Sequence, residues 1–174
     1  MQFVLKEIIT IIVFDGLSQL KNNMIQVLNQ WQKLTCATYA VMGILLKYWI
    51  QFDLERLSTI KVPYYNQVEN LFKEEGLIKQ FIKIPTPKLV DLWLRRWEWL
   101  LTSTSRWDFT LNDNKELNVV EFDEKSQHFF IITEDCGDKW KCLNSWGKEW
   151  GEGGFFYINK SDFKSLLTPR RVIV

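Results

Sequence analysis

The sequence predicts an α+β fold in which helices come first and antiparallel strands follow. Helical periodicity with capping signals dominates the chain before residue 105, and short β-type runs separated by charged or glycine-containing turns fill it from residue 117 onward. The 174 residues are 47% hydrophobic and 25% charged, which excludes a disordered or low-complexity chain. No linker or repeat divides them. We therefore expect a single domain over residues 1–174, mainly helical over 20–105 and mainly β over 106–174.

The first two helices have clear start or stop signals. Thr35 can cap a helix over residues 36–50, whose residues are apolar on nearly every side, as in a helix at the centre of a fold. A second, amphipathic helix is expected to begin at the capping-box sequence NQVE, residues 66–69, and to end at Gly76.

A third helix opens at Thr86-Pro87, where proline suits the first helical position. Its end is ambiguous because residues 97–102 also fit a strand. Strands are expected at residues 117–122, 128–134, 138–145, 154–159 and 170–174. Because helices precede strands instead of alternating with them, we expect an antiparallel sheet.

Charge and cysteine content narrow the classes of function. The 22 basic and 21 acidic residues leave a net charge of +1, with no block of like charge, so neither a nucleic acid nor a membrane partner is expected. Cys36, Cys136 and Cys142 are an odd number and too few for a secreted disulfide scaffold, which favours a reducing compartment, the cytoplasm. The apolar run at residues 8–14 has acidic flanks and no cleavage site, so no signal peptide is expected.

One aromatic cluster allows more than one interpretation. Trp93, Trp97 and Trp99 lie around Arg95 and Arg96. Such a cluster can stack on bases or bind the peptide of a partner, although such a stripe is more often part of the core.

The single histidine, His128, opens one predicted strand, and Asn144 closes the next. A three-residue hairpin loop at residues 135–137 would set His128 opposite Asn144, within reach of a side-chain hydrogen bond. A two-residue loop at residues 137–138 would instead pair His128 with Gly147 and lose this contact. The turn residues favour the three-residue loop.

Cys36 stands at the start of the first predicted helix. The helix dipole stabilises a thiolate at that position, and a nearby imidazole stabilises it further. Cys36, His128 and Asn144 then fit the roles of a nucleophile, its base and the group that orients the base.

The segment KCLNSWGKEWGEGGFFYI, residues 141–158, resembles the C-terminal signature of papain-like cysteine proteases, Asn-Ser-Trp-Gly followed by Trp-Gly, Gly and an aromatic strand. In that family the catalytic histidine lies sixteen residues before the asparagine, as His128 does before Asn144. The family's oxyanion-hole glutamine lies six residues before the nucleophile, as Gln30 does before Cys36. The resemblance covers about residues 20–48 and 117–158.

The chain also departs from the family pattern. Lys33-Leu34-Thr35 replaces Cys-Gly-Ser before the nucleophile, and Ala37 replaces the tryptophan after it. The middle of the chain has no Gly-Gly pair to bind extended substrate, and only 92 residues separate Cys36 from His128. The 29 residues before Gln30 are too few for the family's usual inhibitory pro-segment, so we expect an enzyme made in active form or controlled by a partner.

The resemblance implies a papain-like fold, in which a reduced helical lobe built on the Cys36 helix faces an antiparallel, barrel-like lobe across a cleft. It also implies a role for each matching residue: Cys36 as nucleophile, His128 as general acid and base, Asn144 as the residue that orients the imidazole, Gln30 as an oxyanion-hole donor, and Trp146 as the cover of the His–Asn hydrogen bond.

The function implied is a cysteine peptidase that hydrolyses peptide or isopeptide bonds of a peptide or protein substrate through an acyl-enzyme. The alternative is a catalytically inactive papain-like module that binds peptide or protein in the same cleft, and acyl transfer to an amine would use the same residues. No cofactor is implied. No metal is expected either, because the cysteines and the histidine lack the ligand spacing of a zinc site. The oligomeric state is not predicted.

Overall fold

The structure, a computed structural model, describes residues 27–30, 35–62, 64–105, 110–118 and 127–174. The helices are α1 (Cys36–Lys47), α2 (Leu54–Ser58), α3 (Tyr65–Glu74) and α4 (Pro87–Leu94), with a 3-10 helix at Lys160–Ser165. The strands are β1 (Gln80–Lys83), β2 (Leu100–Ser105), β3 (Gln127–Cys136), β4 (Lys139–Leu143), β5 (Phe155–Asn159) and β6 (Leu167–Ile173). The predicted α+β class is confirmed. The apolar run at residues 8–14 and most of the strand expected at 117–122 lie outside the described residues.

The six strands form one sheet in the order β1-β6-β2-β3-β4-β5, and each neighbouring pair is antiparallel. β1 and β2 come from the part of the chain expected to be mainly helical. β1 gave no clear sequence signal because only Phe81 of its four residues is buried. β2 resolves the ambiguity after the third helix, since residues 95–99 form a turn and the strand starts at Leu100.

Helix α1 lies at the centre of the core, as its composition predicted. Nine consecutive residues from Ala37 to Leu45 are buried. Thr35 occupies the N-cap position, but its hydroxyl makes no capping hydrogen bond and is buried without a partner in the described part of the chain. No helix among the described residues combines the length and the apolar character needed to cross a bilayer.

Helix α3 begins two residues earlier than the capping box predicts, because the box places the N-cap at Asn66. Its N-cap is Tyr64, and the Glu69 carboxylate does not turn back to the helix start. It accepts a hydrogen bond of 3.0 Å from the Phe81 backbone N–H in β1 and forms an ion pair of 2.7 Å with Lys73. The Phe81 N–H thus binds the Glu69 carboxylate, which in a capping box would accept from the backbone at the start of the helix. Gly76, with φ of 67°, ends the helix as predicted.

The predicted three-residue loop between β3 and β4 is wrong. Cys136 pairs with Lys139, so the loop is the two residues Gly137 and Asp138, and Gly137 has φ of 82°. A β-bulge at Thr133 then shifts the register by one, so that Ile132 pairs with Cys142.

This bulge decides which residues share a face of the sheet. A two-residue loop alone would place Asn144 on the face opposite His128, because one residue of register shift exchanges the two faces. The extra residue Thr133 returns Asn144 to the face of His128. Its hydroxyl donates to the Lys141 carbonyl at 3.0 Å, which ties the bulge to β4.

Candidate active site

His128 and Asn144 are joined by a short, buried hydrogen bond. The His128 Nε2 to Asn144 Oδ1 distance is 2.7 Å, and the two residues are 1% and 2% exposed. Oδ1 also accepts from the Ser145 backbone N–H at 2.8 Å, which identifies this atom as the amide oxygen. Because an amide oxygen only accepts, His128 Nε2 carries the proton, and Nδ1 is the ring nitrogen left for proton exchange.

Cys36 lies beside the start of β3. It is the first residue of α1, it is half-buried, and its thiol contacts the backbone carbonyl of Gln127 at 3.9 Å across 91 residues of sequence. Gln127 directly precedes His128 in β3. The helix N-terminus that bears the thiol and the strand that bears the imidazole therefore meet at one place in the fold.

Gln30 is held against the segment that follows β4. Its backbone N–H donates to the Ser145 carbonyl at 2.8 Å, and its side-chain Oε1 accepts from the Ser145 hydroxyl at 2.9 Å. Because Oε1 is engaged, the side-chain NH₂ group, which can only donate, is the part of the amide that remains to meet a substrate oxygen. Gln30 is 5% exposed, so this orientation is held in a buried setting.

Residues 27–30 run as a short strap along residues 144–147. Asn29 bridges to Trp146, and the Gly147 N–H donates to the Leu28 carbonyl at 3.3 Å. Gly147 has φ of 82°, and a Cβ there would stand 2.7 Å from Asn29 Nδ2. Only glycine fits both the backbone angle and the close approach of the strap.

Trp146 covers one side of the imidazole. Its ring centroid lies 4.6 Å from that of His128, and Trp150 meets it edge-on at 5.2 Å. Trp150 in turn packs against Phe156 at 5.4 Å. The aromatic stack limits the access of water to this side of His128.

The structure thus brings all five residues expected at the site to neighbouring positions. Sequence reasoning missed two others, Ser145, which fixes the Gln30 amide, and Trp150, which supports Trp146. Both lie in the motif already singled out at residues 141–158. Their roles depend on contacts with residues 27–30 and with β5 that the motif alone does not reveal.

The C-terminal part of the chain matches a known family. Residues 104–168, a span that includes His128 and Asn144, match the model described as papain family cysteine protease. Over these residues the chain is papain-like. Cys36 and Gln30 lie outside the matched residues. No curated protein matches the sequence.

Two solved structures resemble the papain-like chain. A digestive procathepsin L 3 from the larval midgut of Tenebrio molitor has a TM-score of 0.57 at 12% sequence identity, over 86% of this chain and 66% of that one. A cysteine protease of Xylella fastidiosa, xylellain, has a TM-score of 0.48 at 13% identity, over 73% of this chain and 50% of that one. The procathepsin likeness establishes the papain-like α+β fold. The chain spans about half to two thirds of the length of these relatives.

The candidate site contains an unsatisfied polar group on Asn144. Asn144 Nδ2 is buried and has no hydrogen-bond partner among the described residues. Such a group typically costs about 1–3 kcal/mol of folding free energy. The amide oxygen of the same side chain accepts from both His128 and the Ser145 N–H.

The other two thiols of the papain-like chain differ from Cys36 in their surroundings. Partial burial and the nearby Glu134 carboxylate raise the pKa of Cys136, and complete burial raises the pKa of Cys142 well above its usual range. Because both pKa values are raised, neither Cys136 nor Cys142 is a thiolate near neutral pH. None of the three cysteines forms a disulfide bond. In the part of the chain that the structure describes, no group of three His, Cys, Asp or Glu side chains could hold a metal ion.

Proposed function

We propose that this papain-like protein is a cysteine peptidase that hydrolyses peptide or isopeptide bonds with Cys36, His128 and Asn144. The observation that carries the proposal is the buried His128–Asn144 hydrogen bond of 2.7 Å, beside the helix N-terminus that bears Cys36. A nucleophile, a base and a third group that orients the base are the parts that covalent acyl transfer requires.

In the first half of the reaction, the Cys36 thiolate attacks the carbonyl carbon of the scissile bond. The new C–S bond forms as the carbonyl π electrons move to oxygen. The His128 imidazolium then gives its Nδ1 proton to the departing amine as the C–N bond breaks. The Nε2–H···Oδ1 bond to Asn144 keeps Nδ1 directed at the reaction throughout.

In the second half, neutral His128 takes a proton from water at Nδ1. The resulting hydroxide attacks the thioester carbon, and the C–S bond breaks to return the thiolate and release a carboxylic acid. In both halves, the side-chain NH₂ of Gln30 and the backbone N–H of Cys36 would hold the negative oxygen. The Ser145 hydroxyl supports the Gln30 donor because it fixes the opposite end of the amide.

The three free cysteines support a reducing compartment, and we propose a cytoplasmic location on that basis. An inactive module that binds peptides in the same cleft would need the same fold without the same thiol chemistry. A test of the proposal must therefore measure the reactivity of Cys36, and not the binding of a peptide.

The first test is the intact-protein mass after brief exposure to an epoxysuccinyl peptide inhibitor at about pH 6, where ordinary thiols with a pKa of about 8.5 are almost fully protonated. Thiolate attack opens the epoxide and leaves a thioether adduct. We expect one adduct on the wild type and on Cys136→Ala, which serves as the matched control for an exposed thiol. We expect none on Cys36→Ala and a rate about 10²-fold lower on His128→Ala.

An adduct that persists in Cys36→Ala, or whose rate does not depend on His128, would contradict the proposal. Unreactive Cys36 in a folded protein would leave the inactive peptide-binding module as the better description. If the adduct forms as expected, the products made from a peptide library would distinguish hydrolysis from acyl transfer to an amine.

A further inference from the structure

Three helices of this chain end in the same hydrogen-bond pattern, the Schellman motif, in which the residue just past the helix adopts a left-handed conformation. At the end of α3, Gly76 donates to the Lys73 carbonyl and Leu77 to the Phe72 carbonyl. The ends of α1 and α4 repeat these two bonds, at distances of 2.9–3.1 Å: Trp49 to Leu46 and Ile50 to Leu45, and Trp97 to Leu94 and Glu98 to Trp93.

The residue at the left-handed position differs among the three helices. α3 has the usual glycine, Gly76, with φ of 67°, whereas α1 and α4 have tryptophans, Trp49 with φ of 59° and Trp97 with φ of 63°. The Cβ of an L-residue crowds the following carbonyl in this conformation, so each tryptophan is strained where glycine would not be. Burial of the two indoles does not compensate for this backbone strain, because Trp49 is 50% and Trp97 81% exposed.

The two tryptophans lie on the same side of the molecule. The Tyr48 hydroxyl donates to the Glu98 carboxylate, and these two residues directly adjoin Trp49 and Trp97. The neighbouring residues are in contact as well, with Lys47 Nζ 5.1 Å from the Trp99 ring centroid. Cys36 is at the opposite end of helix α1, whose twelve residues span about 18 Å at 1.5 Å per residue. This side is therefore separate from the proposed active site.

The outer face of α4 continues this exposed region. Leu89 and Leu92 are exposed, and the exposed Arg95 and Arg96 follow them at the end of the helix. We call Trp49, Trp97, Leu89, Leu92, Arg95 and Arg96 the tryptophan surface.

The charge that the tryptophan surface offers to a partner is positive. Three carboxylates close to α4 are already paired: Asp91 with Lys160 at 2.8 Å, Glu98 with Arg171 at 2.8 Å and Asp135 with Lys160 at 2.6 Å. Arg96 forms no ion pair with the described residues, and its guanidinium lies 5.4 Å from the Trp93 ring centroid. Arg95 makes only a long contact of 3.5 Å to Asp135 and is 74% exposed.

We propose that the tryptophan surface docks an acidic segment of a partner protein, with apolar side chains of that segment against Trp49 and Trp97 and its carboxylates on Arg95 and Arg96. Tryptophan and arginine are the residues most enriched where protein interfaces derive their affinity. Strained backbone of this kind clusters at functional positions. A lipid surface fits less well, because two arginines are fewer than the basic cluster that anionic bilayers attract.

The test uses the double variant Trp49→Gly/Trp97→Gly, in which the substitutions relieve the backbone strain. Its Tm is expected to equal or exceed that of the wild type, with a rise of about 2–4 °C if both indoles contribute only strain. A loss of binding in this variant is then not caused by unfolding. Cleavage of a small fluorogenic peptide should be unchanged in it, which separates this proposal from the proposed peptidase function.

The probe is a displayed library of random peptides, selected on Cys36→Ala protein so that bound peptides are not cleaved. We expect the enriched sequences to combine Asp and Glu with Leu, Phe or Trp. Their affinity should fall at least 10-fold when Trp49→Gly/Trp97→Gly or Arg96→Glu is added to the Cys36→Ala background.

Enriched peptides that lack acidic residues, or that bind the substituted proteins as well as their parent, would overturn the proposal. So would binding of phosphatidylserine vesicles that requires both tryptophans, since the surface would then be a membrane contact. The outcome does not depend on whether the protein proves to be a peptidase.

Discussion

A methyl group added to Gly43 would stand 2.8 Å from the Cδ1 atom of Ile131, closer than two carbon atoms pack. Gly43 lies in the middle of α1, where glycine costs about 0.5–1 kcal/mol relative to alanine. What it provides is the close approach of α1 to β3. These are the two elements that carry Cys36 and His128, so the packing of Gly43 on Ile131 helps to set the distance between them.

This contact predicts that substitutions at the two positions are not additive. Gly43→Ala should lower the free energy of unfolding by about 1 kcal/mol, because overpacking outweighs the better helix propensity. Ile131→Val removes Cδ1 and should cost about 0.5–1.5 kcal/mol by itself. In the Ile131→Val background, Gly43→Ala should become stabilising by about 0.5 kcal/mol, as measured by urea unfolding of the four proteins. Equal effects of Gly43→Ala in both backgrounds would contradict the assignment.

Asn144 is expected to fix the proton of His128 on Nε2. Asn144→Ala should lower kcat/KM about 10²-fold, with most of the loss in kcat, because the ring is no longer oriented. Asn144→Asp keeps an acceptor oxygen and should retain the Nε2-protonated tautomer. Because His128 is the only histidine, ¹⁵N chemical shifts of one imidazole report the tautomer directly. An unchanged tautomer ratio in Asn144→Ala would argue against the positioning role.

Gln30 is expected to donate a hydrogen bond to the negative oxygen, and Ser145 is expected to hold the Gln30 amide in place. Gln30→Ala should lower kcat about 10²–10³-fold, the usual effect of losing one oxyanion-hole donor. Ser145→Ala frees the Gln30 Oε1 atom and should lower kcat by about 10-fold, since a released amide still donates in part of its orientations. Ser145→Thr keeps the hydroxyl and serves as the control in steady-state kinetics. A loss in Ser145→Ala larger than that in Gln30→Ala would show that Ser145 acts by another route.

Lys47 is expected to make stability depend on pH in the alkaline range. Burial lowers the pKa of Lys47 from 10.5 to about 8, against the opposing attraction of Glu98. Between these two values the unfolded chain binds more protons than the folded chain, so the free energy of unfolding rises with pH there, and below pH 8 the full cost of the buried charge is present.

Lys47→Met should therefore raise the free energy of unfolding at pH 7 by about 1–2 kcal/mol, a figure reduced for the partial exposure of the side chain. The difference from the wild type should shrink as the pH rises from 8 to 10.5, as followed by urea unfolding at several pH values. A methionine variant that is less stable at pH 7 would mean that the contacts of the ammonium with Tyr48 and Trp99 outweigh its burial.

The contact of His128 with Asn144 was predicted from a register that the structure does not have. The expected hairpin loop would have placed the two residues directly opposite each other. The shorter loop and the bulge at Thr133 leave them diagonal on the same face, still close enough for their side chains to meet. The sequence could not reveal the bulge, because both loop lengths are compatible with glycine at position 137 and nothing in residues 131–134 marks an extra residue.

Other differences arise where tertiary contacts outweigh local preference. Glu69 fits a capping box in sequence, yet its carboxylate accepts a hydrogen bond from the Phe81 N–H of β1. The sequence did not predict β1, because only one of its four side chains is buried. Helix α1 was predictable because its sequence is apolar on nearly every side, which matches the nine consecutive buried residues found at the centre of the fold. Gln30 was found only through the spacing of a family motif, whereas Cys36 was also indicated by its place at the start of a predicted helix.

The strap of residues 27–30 along residues 144–147 affects the order in which the molecule can assemble. Gln30 and Ser145 are 115 residues apart, so their two hydrogen bonds form only after both segments have been made and have met. Pairings between such distant residues are slow to form, because the closure of a long loop precedes any gain from the contact. A chain still being synthesised therefore contains Cys36, and later His128, before the contacts that bring the two together have formed. We expect the site to be among the last parts of the molecule to fold.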